Sequence, residues 1–78
     1  MSAKEMFEAL GYELIQDDMN WLIYVINKGK WFQLDIAFSK YDKKVHLNTQ
    51  EAVHGHTFDI QELKAINQQC KELGWLDE

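Results

Sequence analysis

The sequence predicts an α+β domain: a short N-terminal helix, a four-stranded antiparallel β-meander and a C-terminal helix packed on one sheet face. Three observations lead there. Apolar residues recur at helical spacing near both ends, in "SAKEMFEALGY" and "DIQELKAINQQCKELGW". Between them the pattern changes to period two, most clearly where Phe32, Leu34, Ile36 and Phe38 alternate with Gln33, Asp35 and Ala37. The connections between the alternating runs are too short for crossovers, so neighbouring strands pair antiparallel.

The first helix has a defined start and stop. Ser2 and Glu5 stand at capping-box spacing, each able to satisfy a free amide of the first turn. Met6, Phe7 and Leu10 form its apolar stripe, and Gly11 supplies the left-handed residue that ends it. The strands follow. "YELIQD" is the first and "DDMN" turns the chain. "NWLIYVIN" is the second, rich in β-branched and aromatic residues. After "NKG" comes "KWFQLDIAF", the third, and after "SKYDK" the shorter "KVHLN", with Val45 and Leu47 on the core face. "TQEAVHGH" has no periodicity and reads as loop.

The second helix is marked by Asp59 as N-cap and Glu62 as its capping-box partner, with Phe58 and Leu63 at hydrophobic-staple spacing. Ile60, Leu63, Ile66, Cys70 and Leu73 mark its predicted buried face. The chain writes Leu-Gly-aromatic twice, ending at Tyr12 and at Trp75. Each phrase follows an amphipathic stretch. Both read as Schellman endings, with Gly11 and Gly74 past the cap and the aromatic folding back on Phe7 and Cys70 respectively.

The turn between the second and third strands decides what each face carries. A three-residue loop, Asn27-Lys28-Gly29, sets Tyr24 opposite Phe32 and Leu22 opposite Leu34 on the core side. Trp21, Ile23, Val25 and Trp31 then occupy the other face. A two-residue turn at Lys28-Gly29 reverses the parity and turns Leu22, Tyr24 and Ile26 outward beside Trp31. The first is preferred, because lysine suits the leading position of a two-residue turn poorly. Either way an apolar row lies on the second face, to be covered by the N-terminal helix, a second subunit or a partner protein.

Composition narrows the functional classes. At 78 residues the chain makes one domain, residues 1–78. No run reaches the length of a membrane span, and no basic region followed by an apolar run marks a signal peptide. Cys70 is the single cysteine, so no internal disulfide forms and a cytoplasmic location is expected. Residues 1–20 carry five acids against one lysine, residues 21–50 two acids against five lysines, and residues 51–78 six acids against two lysines. The ends are acidic and the middle mildly basic. All eight cations are lysine, and the absence of arginine argues against base-edge readout in nucleic acid.

Candidate chemistry is sparse. His54 and His56 form the one cluster with ligand character, with His46 eight residues before and Cys70 on the helix. No Cys-x-x-Cys or His-x-x-x-His accompanies them, so the pair reads as a loop with a glycine pivot rather than a metal site. Cys70 lies on the apolar stripe and reads as a small core residue, not a nucleophile. Asp17-Asp18 and Asp77-Glu78 fall in a turn and at a terminus, where acids serve solvation. No phosphate loop, nucleophile elbow or dinucleotide fingerprint is present. The chain is therefore expected to be no enzyme and to use no cofactor. Lys28, Lys30, Lys40, Lys43 and Lys44 cluster at hairpin turns, interleaved with Trp31 and Tyr41 as in surfaces that bind single strands. Weak nucleic-acid binding through those turns is the alternative reading.

The run "ELKAIN" followed by "ELGW", with "MFEALGY" at the other end, resembles small uncharacterised proteins of phages and prophages of low-GC Gram-positive bacteria. That family has no assigned activity, so the resemblance carries over no functional residues. It implies an accessory role exerted through binding. The leading expectation is thus a non-enzymatic protein-interaction module with a protein partner or a second copy of itself. Its candidate surface is Trp21, Ile23, Val25 and Trp31.

Overall fold

The computed structural model describes residues 1–27, 32–51 and 58–76. Its elements are α1 (Ala3–Ala9), β1 (Glu13–Asp17), β2 (Trp21–Asn27), β3 (Phe32–Ser39), β4 (Lys44–Glu51) and α2 (Ile60–Glu72). The strands form one antiparallel sheet in the order β1-β2-β3-β4. Both helices lie on the same face of it, which completes the expected α+β architecture.

Local chemistry sets the ends of α1. The Ser2 hydroxyl accepts from the Glu5 amide at 3.1 Å, and the Ser2 amide donates to Glu5 Oε1 at 2.8 Å. The Ser2 amide, and after it the Ser2 hydroxyl, holds the Glu5 carboxylate below its ordinary pKa, because each favours the charged form. At the other end Gly11 takes φ +99°. Its amide donates to Glu8 O, and the Tyr12 amide to Phe7 O, each at 3.0 Å. These are the two bonds of a Schellman ending. Tyr12 folds back as expected, its ring meeting Phe7 edge-on at 5.3 Å between centroids.

The two turns at one end of the sheet are joined to each other. Asp18 Oδ1 accepts from the amides of Asn20 at 2.9 Å and Trp21 at 2.8 Å, closing the β1–β2 turn as an Asx turn. Those amides hold the Asp18 carboxyl below its ordinary pKa. In the β3–β4 turn, Lys43 takes the left-handed conformation at φ 57° and donates its amide to Ser39 O at 2.9 Å. Lys40 then bridges the turns, with Nζ 2.9 Å from Asp17 Oδ1 and 2.6 Å from Asp18 O.

The hairpin between β2 and β3 differs from the expected register. Leu22 pairs with Phe38, Tyr24 with Ile36, and Ile26 with Leu34. The expected partners, Phe32 for Tyr24 and Leu34 for Leu22, are each four residues too early. The shift is even, so it moves the strands without exchanging their faces. Leu22, Tyr24 and Ile26 face the core, as the three-residue loop required, although the pairing places more chain between the strands. β4 is also longer than expected. Thr49, Gln50 and Glu51 continue it, pairing with Leu34, Gln33 and Phe32. An extended partner strand was available, and that overrides the weak periodicity of "TQE". Of the two expected core residues on β4, Val45 is partly buried, whereas Leu47 is 47% exposed.

The core is aromatic at its centre. Phe7 stacks on Tyr24 with centroids 4.0 Å apart, and Phe38 meets both rings edge-on at 6.3 Å. Leu22, Ile26, Leu34 and Ile36 from the sheet and Ala65 from α2 enclose them.

α2 starts as expected. Asp59 accepts from the amides of Gln61 and Glu62, and its own amide donates to Glu62 Oε1 at 3.1 Å. Its buried face departs from the apolar stripe. Glu62, Ala65 and Gln69 are buried, whereas Ile60 is 59% and Leu63 50% exposed. Ile66, Cys70 and Leu73 remain partly buried against the core. The cause lies in two tyrosine hydroxyls below the helix. Tyr12 donates to Glu62 Oε2, and Tyr24 donates to Gln69 Oε1 at 2.8 Å. A buried hydroxyl requires a partner, and turning the helix to supply two acceptors leaves Ile60 and Leu63 toward solvent. Ala65 sits between the acceptors, where a larger side chain would hold the helix away. The Ala3 amide donates to Glu72 Oε2 at 2.8 Å and ties α1 to the far end of α2.

α2 ends in a second Schellman motif, with Gly74 at φ 78° and the Trp75 amide 2.9 Å from Cys70 O. The Trp75 ring packs near Phe38, 6.2 Å between centroids, so the residue serves the core rather than a ligand.

Three outcomes test this account. Nothing lies within 4 Å of a Cβ built on Gly74, so Gly74→Ala introduces backbone strain alone. It should lose about 1 kcal/mol in urea denaturation. Tyr24→Phe leaves the Gln69 acceptor unsatisfied in the core and should lose about 1–2 kcal/mol in the same measurement. Burial, with Glu72, Asp17 and Glu8 adding to it, pushes the Tyr24 hydroxyl up to about 12, and burial raises Tyr12 in the same direction. An unfolded tyrosine ionises near 10.0. Between those values the unfolded state loses a proton that the native state keeps. Stability should therefore be intact below that lower pH and fall as pH rises through the higher one. A thermal-melt series should show the fall, and Tyr24→Phe should reduce its slope.

Candidate interaction surface

Alternation along β2 sends Trp21, Ile23 and Val25 to the face away from both helices. All three are half-buried. Trp31, the fourth predicted member, lies outside the described residues. The N-terminal helix does not cover this row. Phe7 fixes α1 against Tyr24, on the opposite face. Of the three expected covers, that one is corrected.

The register assembles a larger surface than the sequence suggested. Ile23 lies between Gln16 of β1 and Ala37 of β3, and Ala37 pairs in turn with His46 of β4. Gln16 reaches that row because of a bulge between Leu14 and Gln16, which leaves Ile15 unpaired and 57% exposed. Gln16, Trp21, Ile23, Ala37, His46 and Asn48 line a shallow concavity of about 340 Å³. Its floor is Ala37, 5% exposed, where a small side chain leaves a dip between larger neighbours. Trp21 and His46 flank it with their rings tilted at 60° and 5.6 Å between centroids.

The next row is charged. Val25 lies between Glu13 and Asp35, and Asp35 pairs with Asn48. Gln33 Nε2 donates to Asp35 Oδ1 at 3.2 Å. At the opposite end Lys44 pairs with Ser39, beside Trp21. Gln16, Ala37, His46 and Asn48 were not singled out from the sequence as members of this surface. Strand parity would have found the β3 and β4 members once the face of β2 was chosen. The bulge that delivers Gln16 has no sequence signature here, since the stretch contains no glycine.

The other candidates fall as follows. His54 and His56 lie outside the described residues, as do Lys28, Lys30, Asp77 and Glu78. Cys70 is half-buried and burial pushes its thiol pKa up, away from the nucleophilic thiolate. Asp17 and Asp18 hold the two turns together. Lys40 is paired with Asp17, whereas Tyr41, Lys43 and Lys44 are exposed. Among the described residues no group of three side chains could hold a metal ion, and no helix is long and apolar enough to cross a membrane. The chain matches no protein-family model, no curated protein and no solved structure.

Proposed function

We propose that this protein is a non-enzymatic interaction module that binds a partner protein through the sheet face carrying Trp21, Ile23 and Val25. The observation that carries this reading is the placement of both helices on one face, which among the described residues leaves an apolar row and a concavity open on the other. Aromatic and aliphatic side chains around a small-residue floor, rimmed by Glu13, Asp35 and Lys44, form the usual anatomy of a modest protein interface. The resemblance of both chain ends to small phage and prophage proteins supports an accessory role of this kind. Nucleic-acid binding through the hairpin turns draws less support, because Lys40 is held by Asp17 and the Asp18 carbonyl.

Val25→Lys tests the proposal. Glu13 and Asp35 flank the position in the pairing, so the new charge is compensated in the free protein while the apolar row is interrupted. The variant should keep its far-ultraviolet circular dichroism. It should also release a protein that the wild-type chain retains in affinity capture. Equal retention by the two chains, or none by either, would sink the reading.

A further inference from the structure

We propose that the concavity over Ala37 is a small-ligand site for an uncharged, amino-substituted heteroaromatic ring of the adenine type, bound as a free base or nucleoside. This goes beyond the protein-interaction reading and does not rest on it. Among the described residues the lining is Gln16, Trp21, Ile23, Ala37, His46 and Asn48. At about 340 Å³ the space lies at the small end of the usual range for ligand sites, roughly 300–1,000 Å³.

The shape suits a flat ring. Ala37 forms the floor with Ile23, its partner in the pairing of β2 with β3. Both are apolar. Trp21 stands on β2 and His46 on β4, with β3 between them. Their ring centroids are nevertheless 5.6 Å apart. Both rings therefore lean across β3 and meet beside the floor as an aromatic wall. Aromatic rings pack favourably against such a wall, offset or edge-on. β1 and β4 are three strand spacings apart, about 14 Å. With Gln16 reaching in from one and Asn48 from the other, the remaining width suits one fused ring system.

The polar groups set the ligand's class. None of the six side chains is an acid, a lysine or an arginine, so the lining offers no dedicated partner for a phosphate or an ammonium group. It offers carboxamides instead. Gln16 Nε2 donates to Asp18 Oδ2 at 2.8 Å, and Asp18 is itself fixed by the amides of Asn20 and Trp21. The Gln16 carboxamide is thereby oriented, with its carbonyl oxygen left to accept. Asn48 is exposed, and its side chain has no hydrogen bond to another described residue. It can donate and accept together. Carboxamides pair well with adenine, whose amino group donates beside a ring nitrogen that accepts. A plain hydrocarbon ring would exclude water from both carboxamides without replacing its hydrogen bonds, and so is disfavoured.

Nuclear magnetic resonance titration of the full chain with adenosine, into the millimolar range, tests the proposal. The Trp21 indole N–H and the side-chain amides of Gln16 and Asn48 should shift together and saturate. Asn48→Ala removes an exposed carboxamide and should weaken binding about fivefold or more. Ala37→Val raises the floor with a residue that suits a central strand, and should abolish the shifts. Val25 is outside the lining, so Val25→Lys should leave adenosine binding unchanged. Loss of the partner protein and loss of the nucleoside are thus read separately. Single-stranded oligoadenylate should bind no more tightly per site than adenosine. Much tighter binding of the oligonucleotide that falls away with salt overturns the assignment to a free ligand. An absence of saturable shifts at Gln16 and Asn48 overturns the proposal, as does adenosine binding that Asn48→Ala leaves intact.

Discussion

The fold depends on a pair of polar contacts at its centre. Tyr12 and Tyr24 present hydroxyls from the first chain segments into the space beneath α2, and Glu62 and Gln69 receive them. The two acceptors are seven residues apart, about two helical turns, so they lie on one line along α2. Their partners both pack on Phe7, which stacks on Tyr24 and meets Tyr12 edge-on. One aromatic cluster thus anchors α1 and sets the rotation of α2. Hydrophobic burial alone would have turned Ile60 and Leu63 inward. Two unsatisfied hydroxyls, at about 1–3 kcal/mol each, are enough to decide against that.

From that arrangement the distribution of surfaces follows. α1 and α2 share one side of the sheet because Phe7 and Ala65 enter the same core. Among the described residues the other side is left to the side chains of the strands. Its breadth comes from the register: each row crosses the strands, so residues remote in sequence such as Gln16, Ile23, Ala37 and His46 become neighbours. The Lys40 bridge between the two turns holds this end of the sheet in place. Its Coulomb contribution at the surface is small, but it also satisfies the Asp18 carbonyl.

Much of the local structure was legible in the sequence. Both capping boxes and both Schellman endings stand where Ser2, Asp59, Gly11 and Gly74 put them, because such motifs depend only on residues within one turn. Strand parity was legible for the same reason, and it placed Trp21, Ile23 and Val25 together correctly. The pairing of β2 with β3 was not. A hairpin register is selected by the fit of Leu22, Tyr24 and Ile26 against Phe38, Ile36 and Leu34, and several even offsets satisfy the alternation equally. The end of β4 was missed because "TQE" has little propensity of its own and becomes strand through pairing with β3.

The sequence by itself thus determined the element types, the ends of both helices and the faces that the residues of β2 and β3 take. These are set by short-range sterics and hydrogen bonds that recur in any tertiary setting. The tertiary structure alone decided the rotation of α2, the offset of the central hairpin, and the membership of the open face. Each of these is a choice among locally equivalent arrangements, and each is resolved only when distant groups meet. A glutamate and a glutamine become core residues because two tyrosines lie beneath them, and no periodicity of α2 could announce that.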